Sequence, residues 1–287
     1  MTLREALESA KGQKVAIGHF NVSNLEMLSA VFRAAKNLDV PVIIGVSEGE
    51  RDFMGVRQIV ALVDSIRREF DYPIFLNADH TYSFDKVKEA IDAGFDSVIY
   101  DGAKLSIEDN IKITKQCVEY ARQSSNPNVL IEGELGYIGQ SSKVLDGIPE
   151  GVDLENDLTT AEEAKRFVDE TGVDMFAPAV GNIHGMMRGG HDPSLDIKRI
   201  KEIGEAVSVP LVLHGGSGND SGDFEKAIKA GISIIHISTE LRVAYQKGLK
   251  ISLQENPDEV APYKYLRGAV KEVERVAEAK LRLFNHK

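Results

Sequence analysis

The sequence has 287 residues, and its 34 basic and 45 acidic side chains give a formal net charge of -11. This balance argues against a nucleic-acid-binding protein, which needs a basic face. The single cysteine, Cys117, permits no internal disulfide and suits a cytoplasmic protein. No segment reaches the ~20 apolar residues that a membrane span needs. Without a linker rich in proline and serine, the chain is expected to form a single domain over residues 1–287.

Strand and helix patterns alternate along the chain. Residues 1–14 predict a short amphipathic helix and lack the apolar core of a signal peptide. Eight short apolar runs predict strands at 15–20, 40–46, 74–77, 97–100, 129–131, 175–180, 209–213 and 232–237. Helices are predicted at 25–38, 56–70, 84–93, 107–122, 161–171, 197–207 and 224–230. Residues 257–287 predict a C-terminal helical tail, with its main helix at 271–284.

Eight such units predict an α/β fold, a (β/α)₈ TIM barrel with a C-terminal helical extension. Apolar residues on both faces of the strands are typical of buried parallel strands. A doubly wound open sheet is the alternative. The segment Gly18-His19-Phe20-Asn21 weakens it, because no Gly-x-Gly-x-x-Gly turn follows the first strand.

A barrel of this kind carries its functional residues at the carboxyl ends of the strands. In chain order, those ends carry Asn21, Ser47, Asp79 with His80, Asp101, Glu132 with Glu134, His184, His214, and His236 with Ser238. Any one of these polar residues could instead cap a helix or form a turn. The recurrence of histidine at three equivalent points is harder to explain in that way.

Three histidines at separate strand ends, His80, His184 and His214, match the ligand set of a catalytic zinc ion, which keeps a further position open. Neutral imidazole ligands leave zinc its double charge, so that it can polarise a carbonyl as a Lewis acid. Asp79, beside His80, is the candidate general acid or base. It could instead be the N-cap of the next helix, although Thr81 and Ser83 are better placed for that role.

The turn His214-Gly215-Gly216-Ser217-Gly218 joins a candidate ligand to a glycine-rich segment. Glycines let backbone N–H groups converge on an anion, and the loops after strands seven and eight of TIM barrels often bind phosphate. Ser238 and Thr239 would add hydroxyls and a helix N-terminus to the same site. A phosphorylated substrate is therefore expected.

The chain resembles the class II, zinc-dependent fructose-bisphosphate and tagatose-bisphosphate aldolases over nearly its whole length. The motifs that carry the resemblance are Gly18-x-Phe20-Asn21-Val22, Ala78-Asp79-His80, Asp101-Gly102, Glu132-Gly133-Glu134-Leu135-Gly136, Gly181-x-x-His184-Gly185, His214-Gly215-Gly216-Ser217-Gly218 and Thr239-Glu240-Leu241-Arg242. They occur in the family's order. The resemblance implies cleavage of a ketose 1,6-bisphosphate, most simply fructose 1,6-bisphosphate, to dihydroxyacetone phosphate and glyceraldehyde 3-phosphate.

By that resemblance, His80, His184 and His214 hold the zinc, and Asp79 exchanges a proton with the C4 hydroxyl. Asp101 and Glu134 match positions close to the metal. Positions that match contacts to substrate, to its first phosphate or to an accompanying monovalent cation (Na⁺ or K⁺) are Asn21, Ser47, Gly185, Gly215, Ser217, Ser238 and Thr239. Arg188 stands where the family usually has lysine, and Arg242 where some members bind the distal phosphate. The family is usually dimeric or tetrameric.

The sequence departs from the family pattern at three places. His236 replaces a substrate-orienting asparagine, and it could supply the same hydrogen bond, approach the metal or be a satisfied interior histidine. Ser238 matches neither the aspartate of many fructose-bisphosphate aldolases nor the alanine of many tagatose-bisphosphate aldolases, so it does not choose the C4 epimer. The segment 139–143 replaces a Gly-Gly-Glu-Glu-Asp run of many fructose-bisphosphate aldolases. One glutamate of that run transfers the proton to or from the substrate carbon. Candidates for that role are Tyr137, Glu134, Glu150, Asp153 and Glu155.

The stretch 137–158 has no clear period and is expected to be a mobile active-site flap or a disordered surface segment. Two other functions fit parts of the pattern. A zinc hydrolase could use the same three histidines and aspartate. A sugar-phosphate-binding protein without turnover would account for His236 and for the missing glutamates.

Overall fold

The computed structural model describes residues 1–139, 142–154, 157–189 and 192–287. Its strands are Ile17–Asn21 (β1), Val42–Val46 (β2), Ile74–Thr81 (β3), Ser97–Tyr100 (β4), Leu130–Leu135 (β5), Val144–Leu145 (β6), Met175–Pro178 (β7), Met186–Met187 (β8), Leu211–Leu213 (β9) and Ile232–Ile237 (β10). Eight of them close a parallel barrel in the order β1-β10-β9-β7-β5-β4-β3-β2. The predicted TIM barrel is confirmed, and the doubly wound sheet is wrong.

Helices cover the outside of the barrel. They are Leu3–Gln13 (α1), Leu25–Leu38 (α2), Glu48–Met54 (α3), Val56–Phe70 (α4), Phe84–Ala93 (α5), Ile107–Gln123 (α6), Ala161–Thr171 (α7), Ile197–Ala206 (α8), Ser221–Ala230 (α9), Thr239–Glu255 (α10), Pro262–Tyr265 (α11) and Arg267–Phe284 (α12). The sequence pattern did not predict α3, whose seven residues are too few to show a helical period.

The amino-terminal end of the barrel is apolar and closed. Thr2 and Glu5 form a capping box that starts α1. The buried face of α1, which includes Leu3 and Leu7, packs with apolar strand residues such as Ile17 and Phe75. Because this end is filled with apolar side chains, the buried acids and imidazoles of the strands lie above it, toward the carboxyl end.

The C-terminal tail packs against the barrel. Helix α12 contacts α10 and α2 most extensively, and Val273, Ala277, Leu281 and Phe284 on its inner face are buried. A glycine at 248 in α10 makes the close approach to α12 possible, because a Cβ there would lie 2.5 Å from the carbonyl oxygen of Gly268. The predicted amphipathic tail thus finds its partner within the same chain.

The stretch after β5 contains one regular element that the sequence pattern did not reveal. Strand β6 pairs in parallel with β8, the short strand that follows His184. We call β6, β8 and the described residues between β5 and β6 the flap. None of the helices in the described ranges combines the length and apolarity needed to cross a bilayer.

Candidate active site

A break in the strand pattern brings Asp79 and His80 to the same cavity. Successive residues of a regular strand point to opposite faces, but the register of β3 with β4 shifts between Ala78 and Thr81. His80 also has a φ of 42°, in the left-handed region. The irregular backbone lets both side chains line the cavity, with His80 Nε2 3.8 Å from Asp79 Oδ1.

Arg51 of α3 supports this irregular segment from beneath. Its buried guanidinium donates hydrogen bonds to the carbonyl oxygens of Val46 (2.6 Å) and Asp79 (3.1 Å) and to the hydroxyl of Thr81 (3.0 Å). A single side chain thus satisfies backbone acceptors that the broken ladder leaves open. Ser83, as expected, is the N-cap of α5 and accepts a bond from Lys86 N, so Asp79 is not used as a cap.

Three histidines and Glu134 form a cluster with metal-ligand geometry. One donor atom from each of His80, His184, His214 and Glu134 lies within 4.8 Å of all the others. The Nδ1 atom of His80 is 2.8 Å from Asp101 Oδ2, so its Nε2 faces the cluster. Carboxylates in this position fix the tautomer and the ring orientation of metal-binding histidines.

A carboxylate orients a second imidazole, that of His214, in the same way. His214 directs Nε2 at Glu132 Oε1 (2.7 Å), and its Nδ1 lies 3.2 Å from His80 Nε2. His184 Nε2 is buried and has no hydrogen-bond partner within the described residues, which is costly unless a ligand takes its lone pair. Nitrogen lone pairs that converge in this way fit a zinc ion.

Backbone contacts between loops hold His184 and His214 in place. His184 N donates to Ile138 O (2.8 Å), and the Asn182 amide donates to His214 O (3.0 Å). Gly215 has a φ of 62°, and a Cβ at this position would lie 2.1 Å from Ile183 O. The glycine in the sequence motif is therefore required by the close approach of the loops after β7 and β9.

Burial and close contact shift the pKa values of the acids and of His80 in the site. Burial raises the pKa of Glu134 well above its ordinary value, with a further rise from the charge of Asp101. Burial also raises the pKa of Glu132, to about 7. For Asp79, burial raises the pKa, but the charge of His80 together with the hydrogen bond and charge of His236 outweighs this effect and leaves the pKa well below its usual range. Burial lowers the pKa of His80, yet Asp79 and Asp101 raise it to about 10.

The remaining imidazoles stay neutral. Burial, together with the charge of His80, lowers the pKa of His214 to about 3 and that of His184 well below its ordinary value. Neutral imidazoles beside acidic side chains have lone pairs available for a cation, and a cation would compensate the buried negative charge. The donor set and its electrostatics therefore fit zinc.

Asp79 is held from two sides. The Asn21 amide donates to Asp79 Oδ2 at 2.8 Å and to Glu50 Oε2 at 3.1 Å. His236 Nδ1 lies 3.4 Å from Asp79 Oδ1, an atom without a completed hydrogen bond within the described residues. His236 itself is buried, and its ring packs 3.9 Å from that of His214 between centroids.

The expected anion-binding residues lie next to the histidine cluster. Gly185, Gly215, Ser217, Ser238 and Thr239 line the same cavity as Asp79 and the three histidines. The Ser217 hydroxyl accepts from the backbone N–H of Ser238 (3.2 Å), which joins the loop after β9 to the start of α10. Ser238 Oγ is buried without a partner in the described part of the chain.

An outer cavity of about 200 Å³ continues from the cluster toward solvent. Its lining includes Ser47, Tyr82 and Arg242 besides Asp79 and His80. Arg242 Nη2 forms a 2.8 Å ion pair with Glu50, which is buried. Its guanidinium is the cation that α10 brings to this cavity.

Comparisons with known proteins agree on one family. The profile of class-II fructose-bisphosphate aldolase matches residues 1–287. The fructose-bisphosphate aldolase of Staphylococcus epidermidis is 36% identical over 289 residues, which cover 99% of this chain and 96% of that protein. This chain belongs to the class-II fructose-bisphosphate aldolase family.

Solved structures of family members share the architecture. The crystal structure of the YdjI aldolase from Escherichia coli K12 superposes with a TM-score of 0.82 at 32% identity, covering 98% of this chain and 96% of that one. A putative fructose-1,6-bisphosphate aldolase from Coccidioides immitis gives a TM-score of 0.85 at 29% identity, with 99% and 96% coverage. The fold and the family predicted from the sequence are confirmed.

Some residues predicted for this aldolase lie away from the cavity. Arg188 follows β8 with an exposed side chain that forms an ion pair with Asp146. Glu150 and Asp153 are exposed in the segment that follows β6, and Glu155 falls outside the described residues. Among the described candidates for the proton on carbon, Glu134 is the one in the histidine cluster.

Sequence reasoning gave no role to three residues of this aldolase site. Glu132 orients His214, Glu50 contacts both Asn21 and Arg242, and His19 packs against His236. For Glu132 a signal existed, because Glu132 and Glu134 alternate on one face of a buried strand. Glu50 lies in the helix that was not predicted.

Proposed function

We propose that this protein is a zinc-dependent aldolase that reversibly cleaves fructose 1,6-bisphosphate to dihydroxyacetone phosphate and glyceraldehyde 3-phosphate. The observation that carries the proposal is the convergence of three oriented imidazoles beside Asp79, next to a loop and a helix N-terminus suited to phosphate. Membership of the aldolase family supports the same substrate.

In this proposal, His80, His184 and His214 hold the metal, with Glu134 and Asp101 beside it. When bound there, zinc would act as a Lewis acid that stabilises the negative charge on the carbonyl oxygen of the three-carbon fragment. The oriented histidines keep the ion in one place, so that little reorganisation is needed during the reaction.

Asp79 transfers the proton of the substrate's C4 hydroxyl group. During cleavage its carboxylate takes the proton of the C4 hydroxyl, the C3–C4 bond breaks, and C4 becomes the aldehyde carbon. The electron pair of the broken bond stays on the three-carbon fragment, and a proton added to C3 completes dihydroxyacetone phosphate. The low pKa of Asp79 keeps it ionised and ready to accept a proton. Asn21 orients this carboxylate through its 2.8 Å bond.

The remaining predicted residues bind the two ends of the sugar. Gly185, Gly215, Ser217, Ser238 and Thr239 bind the first phosphate through hydroxyls and backbone N–H groups, and a monovalent cation accompanies it. Ser47 and His236 complete the substrate contacts, and Arg242 binds the distal phosphate. Arg188 has no part in these contacts, because its side chain is exposed and pairs with Asp146. Glu134 is the favoured candidate for transfer of the proton to or from carbon, because among the described candidates it is the one in the histidine cluster.

The test is the release of triose phosphates from fructose 1,6-bisphosphate and from tagatose 1,6-bisphosphate, measured in parallel with added zinc and with a chelator. Chelator-sensitive cleavage with preference for fructose is expected. Preference for tagatose would move the assignment to the other epimer. Hydrolysis of an ester or amide without triose release would favour the hydrolase, and binding without turnover would favour the sugar-phosphate-binding protein.

The proposal also covers domain organisation, oligomeric state, cellular compartment and pathway. A single domain over residues 1–287, assembled as a homodimer or homotetramer, is proposed from the family resemblance. The cytoplasm is the proposed compartment because the one cysteine is consistent with a reducing environment. Glycolysis and gluconeogenesis are the pathways in which this reaction would serve.

A further inference from the structure

Two buried histidines stack beneath the proposed acid/base. His19 on β1 and His236 on β10 are register partners in the parallel barrel, so their side chains point inward at the same level. Their ring centroids are 3.5 Å apart and the ring planes differ by 4°. The other face of His236 packs on His214, with centroids 3.9 Å apart. His19 lines neither cavity of the site.

This pair is not arranged to hold a second metal ion, although His19, Asp79 and His236 place donor atoms within 4.8 Å of one another. A metal lies in the plane of each imidazole that binds it, about 2.0–2.1 Å from the nitrogen. Parallel rings stacked 3.5 Å apart have no common plane. One ion therefore cannot take a lone pair from both rings.

Hydrogen bonds fix the orientation of the His19 ring. The Asn77 amide donates to Ser97 Oγ at 2.7 Å, which directs its carbonyl oxygen Oδ1 toward His19. His19 Nε2 lies 3.1 Å from that oxygen and donates to it. Asn77 and Ser97 are buried on β3 and β4, so the ring is tied to the neighbouring strands.

The His19 ring occupies space that a side chain at position 45 would otherwise fill. A Cβ on Gly45 of β2 would lie 2.0 Å from His19 Cε1 and 2.5 Å from Nε2. Any residue other than glycine at position 45 would therefore displace the ring. The sequence combines a histidine, its hydrogen-bond partner and a glycine to hold one flat group under His236.

We propose that His19 is a positioning residue that fixes the ring plane of His236, so that His236 Nδ1 faces Asp79 Oδ1 and sets the orientation of the reacting carboxylate. This inference rests on the proposed role of Asp79. Asn21 holds Oδ2 and His236 faces Oδ1, so the carboxylate has one orientation only while both neighbours stay in place. Misplacement of a catalytic group by about 1 Å can cost about 100-fold in rate.

The test uses two variants that disturb the stack from different strands. His19→Ala removes the ring, whereas Gly45→Ala keeps the ring and pushes it aside. Gly12→Ala is the matched control, because a Cβ at Gly12 on α1 meets nothing within 4 Å. The measurements are kcat and KM for cleavage of fructose 1,6-bisphosphate, bound zinc, thermal unfolding, and deuterium exchange from solvent into C3 of dihydroxyacetone phosphate.

The exchange reaction separates positioning of Asp79 from general damage to the site. It involves only the three-carbon fragment and has no C4 hydroxyl, so it does not need Asp79. We expect both variants to lower kcat for cleavage about 10- to 100-fold with KM, zinc content and exchange within about 2-fold of the wild type. The Gly12→Ala protein should match the wild type in every assay. In metal-free crystals of either variant, His236 should be displaced from Asp79.

Several outcomes would overturn the inference. Equal loss of cleavage and exchange would indicate a purely structural role for His19, and unchanged cleavage would indicate none. An unmoved His236 ring in the variant crystals would also contradict it. If His19→Ala does not fold, the Gly45→Ala protein decides by the same criteria. A zinc-loaded wild type that catalyses exchange but not cleavage, or neither, would refute the proposed function itself.

Discussion

The inner and outer ends of the site are built differently. At the inner end, His214 is buried and His80 is nearly so, and each is oriented by a carboxylate within 2.8 Å. At the outer end, Arg242 reaches from α10 to Glu50 on α3, and its side chain is 35% exposed. The chemistry thus depends on groups fixed by the barrel, whereas recognition of the distal part of the substrate depends on helices and loops around it.

The largest effect is expected where the inner end loses a metal ligand. His184→Ala or His214→Ala should remove bound zinc and lower turnover together by more than ~10²-fold. Loss of a residue that only hydrogen-bonds to a ligand costs about 10- to 100-fold, and loss of the ligand itself should cost more. Metal analysis and initial rates on the same samples provide the measurement. His286→Ala, on the exposed C-terminus, is the control. Stoichiometric zinc in either ligand variant would show that the ligand assignment is wrong.

Loss of the proton-transfer group should leave the metal in place. Asp79→Ala should reduce turnover by ~10² or more, because it removes an acid/base and not a ligand. Zinc content should stay at the wild-type level. Asp169→Ala, which alters an exposed pair with Lys165, serves for comparison and should keep full activity. Loss of zinc from the Asp79 variant would place this residue among the ligands instead.

A smaller and more selective effect is expected at the outer end. Arg242→Met should raise KM for fructose 1,6-bisphosphate roughly 10-fold, because one charged hydrogen-bonding group to the distal phosphate is lost. KM for fructose 1-phosphate should change little, since that sugar has no distal phosphate. Arg282→Met, in an exposed helical pair, is the control. An equal rise in KM for both sugars would contradict binding of the distal phosphate by Arg242.

The smallest signal is a proton released when zinc binds. The folded-state pKa of His80 is raised to about 10, so below that pH its ring is protonated in the metal-free protein. A zinc ligand must be neutral, and uptake at pH 8 should therefore release about one proton. Apparent zinc affinity should increase with pH until about pH 10. Calorimetry in buffers of different ionisation enthalpy measures the proton, and no release would contradict protonation of His80.

The pKa of His80 also gives the metal-free protein a pH-dependent stability. Because the folded state holds this proton more tightly than the unfolded chain, its contribution is complete below the ordinary pKa of 6.5 and is lost as pH rises toward 10. Zinc should remove this dependence, since it replaces the proton. The measurement is the free energy of unfolding in denaturant, determined for the metal-free and the zinc-bound protein between pH 6.5 and pH 10.

Much of the barrel could be predicted because local patterns reflect burial. The strands β4 and β10 and the helices α2, α4, α5 and α7 have the predicted bounds, since each combines a clear apolar period with turn or capping residues at its ends. The short elements α3, β6 and β8 were not predicted. They contain two to seven residues, too few for a period, and form through contacts with distant segments.

The sequence alone determined the barrel, its order of elements and the three histidines at the strand ends, because strand alternation and glycine-rich turns are local properties. Tertiary structure decided how these histidines act together. The bulge at His80, the guanidinium of Arg51 beneath it and the pairing of Glu132 with His214 depend on residues far apart in the chain. Closure of the barrel is what brings those side chains, and the stacked pair His19 and His236, within contact distance.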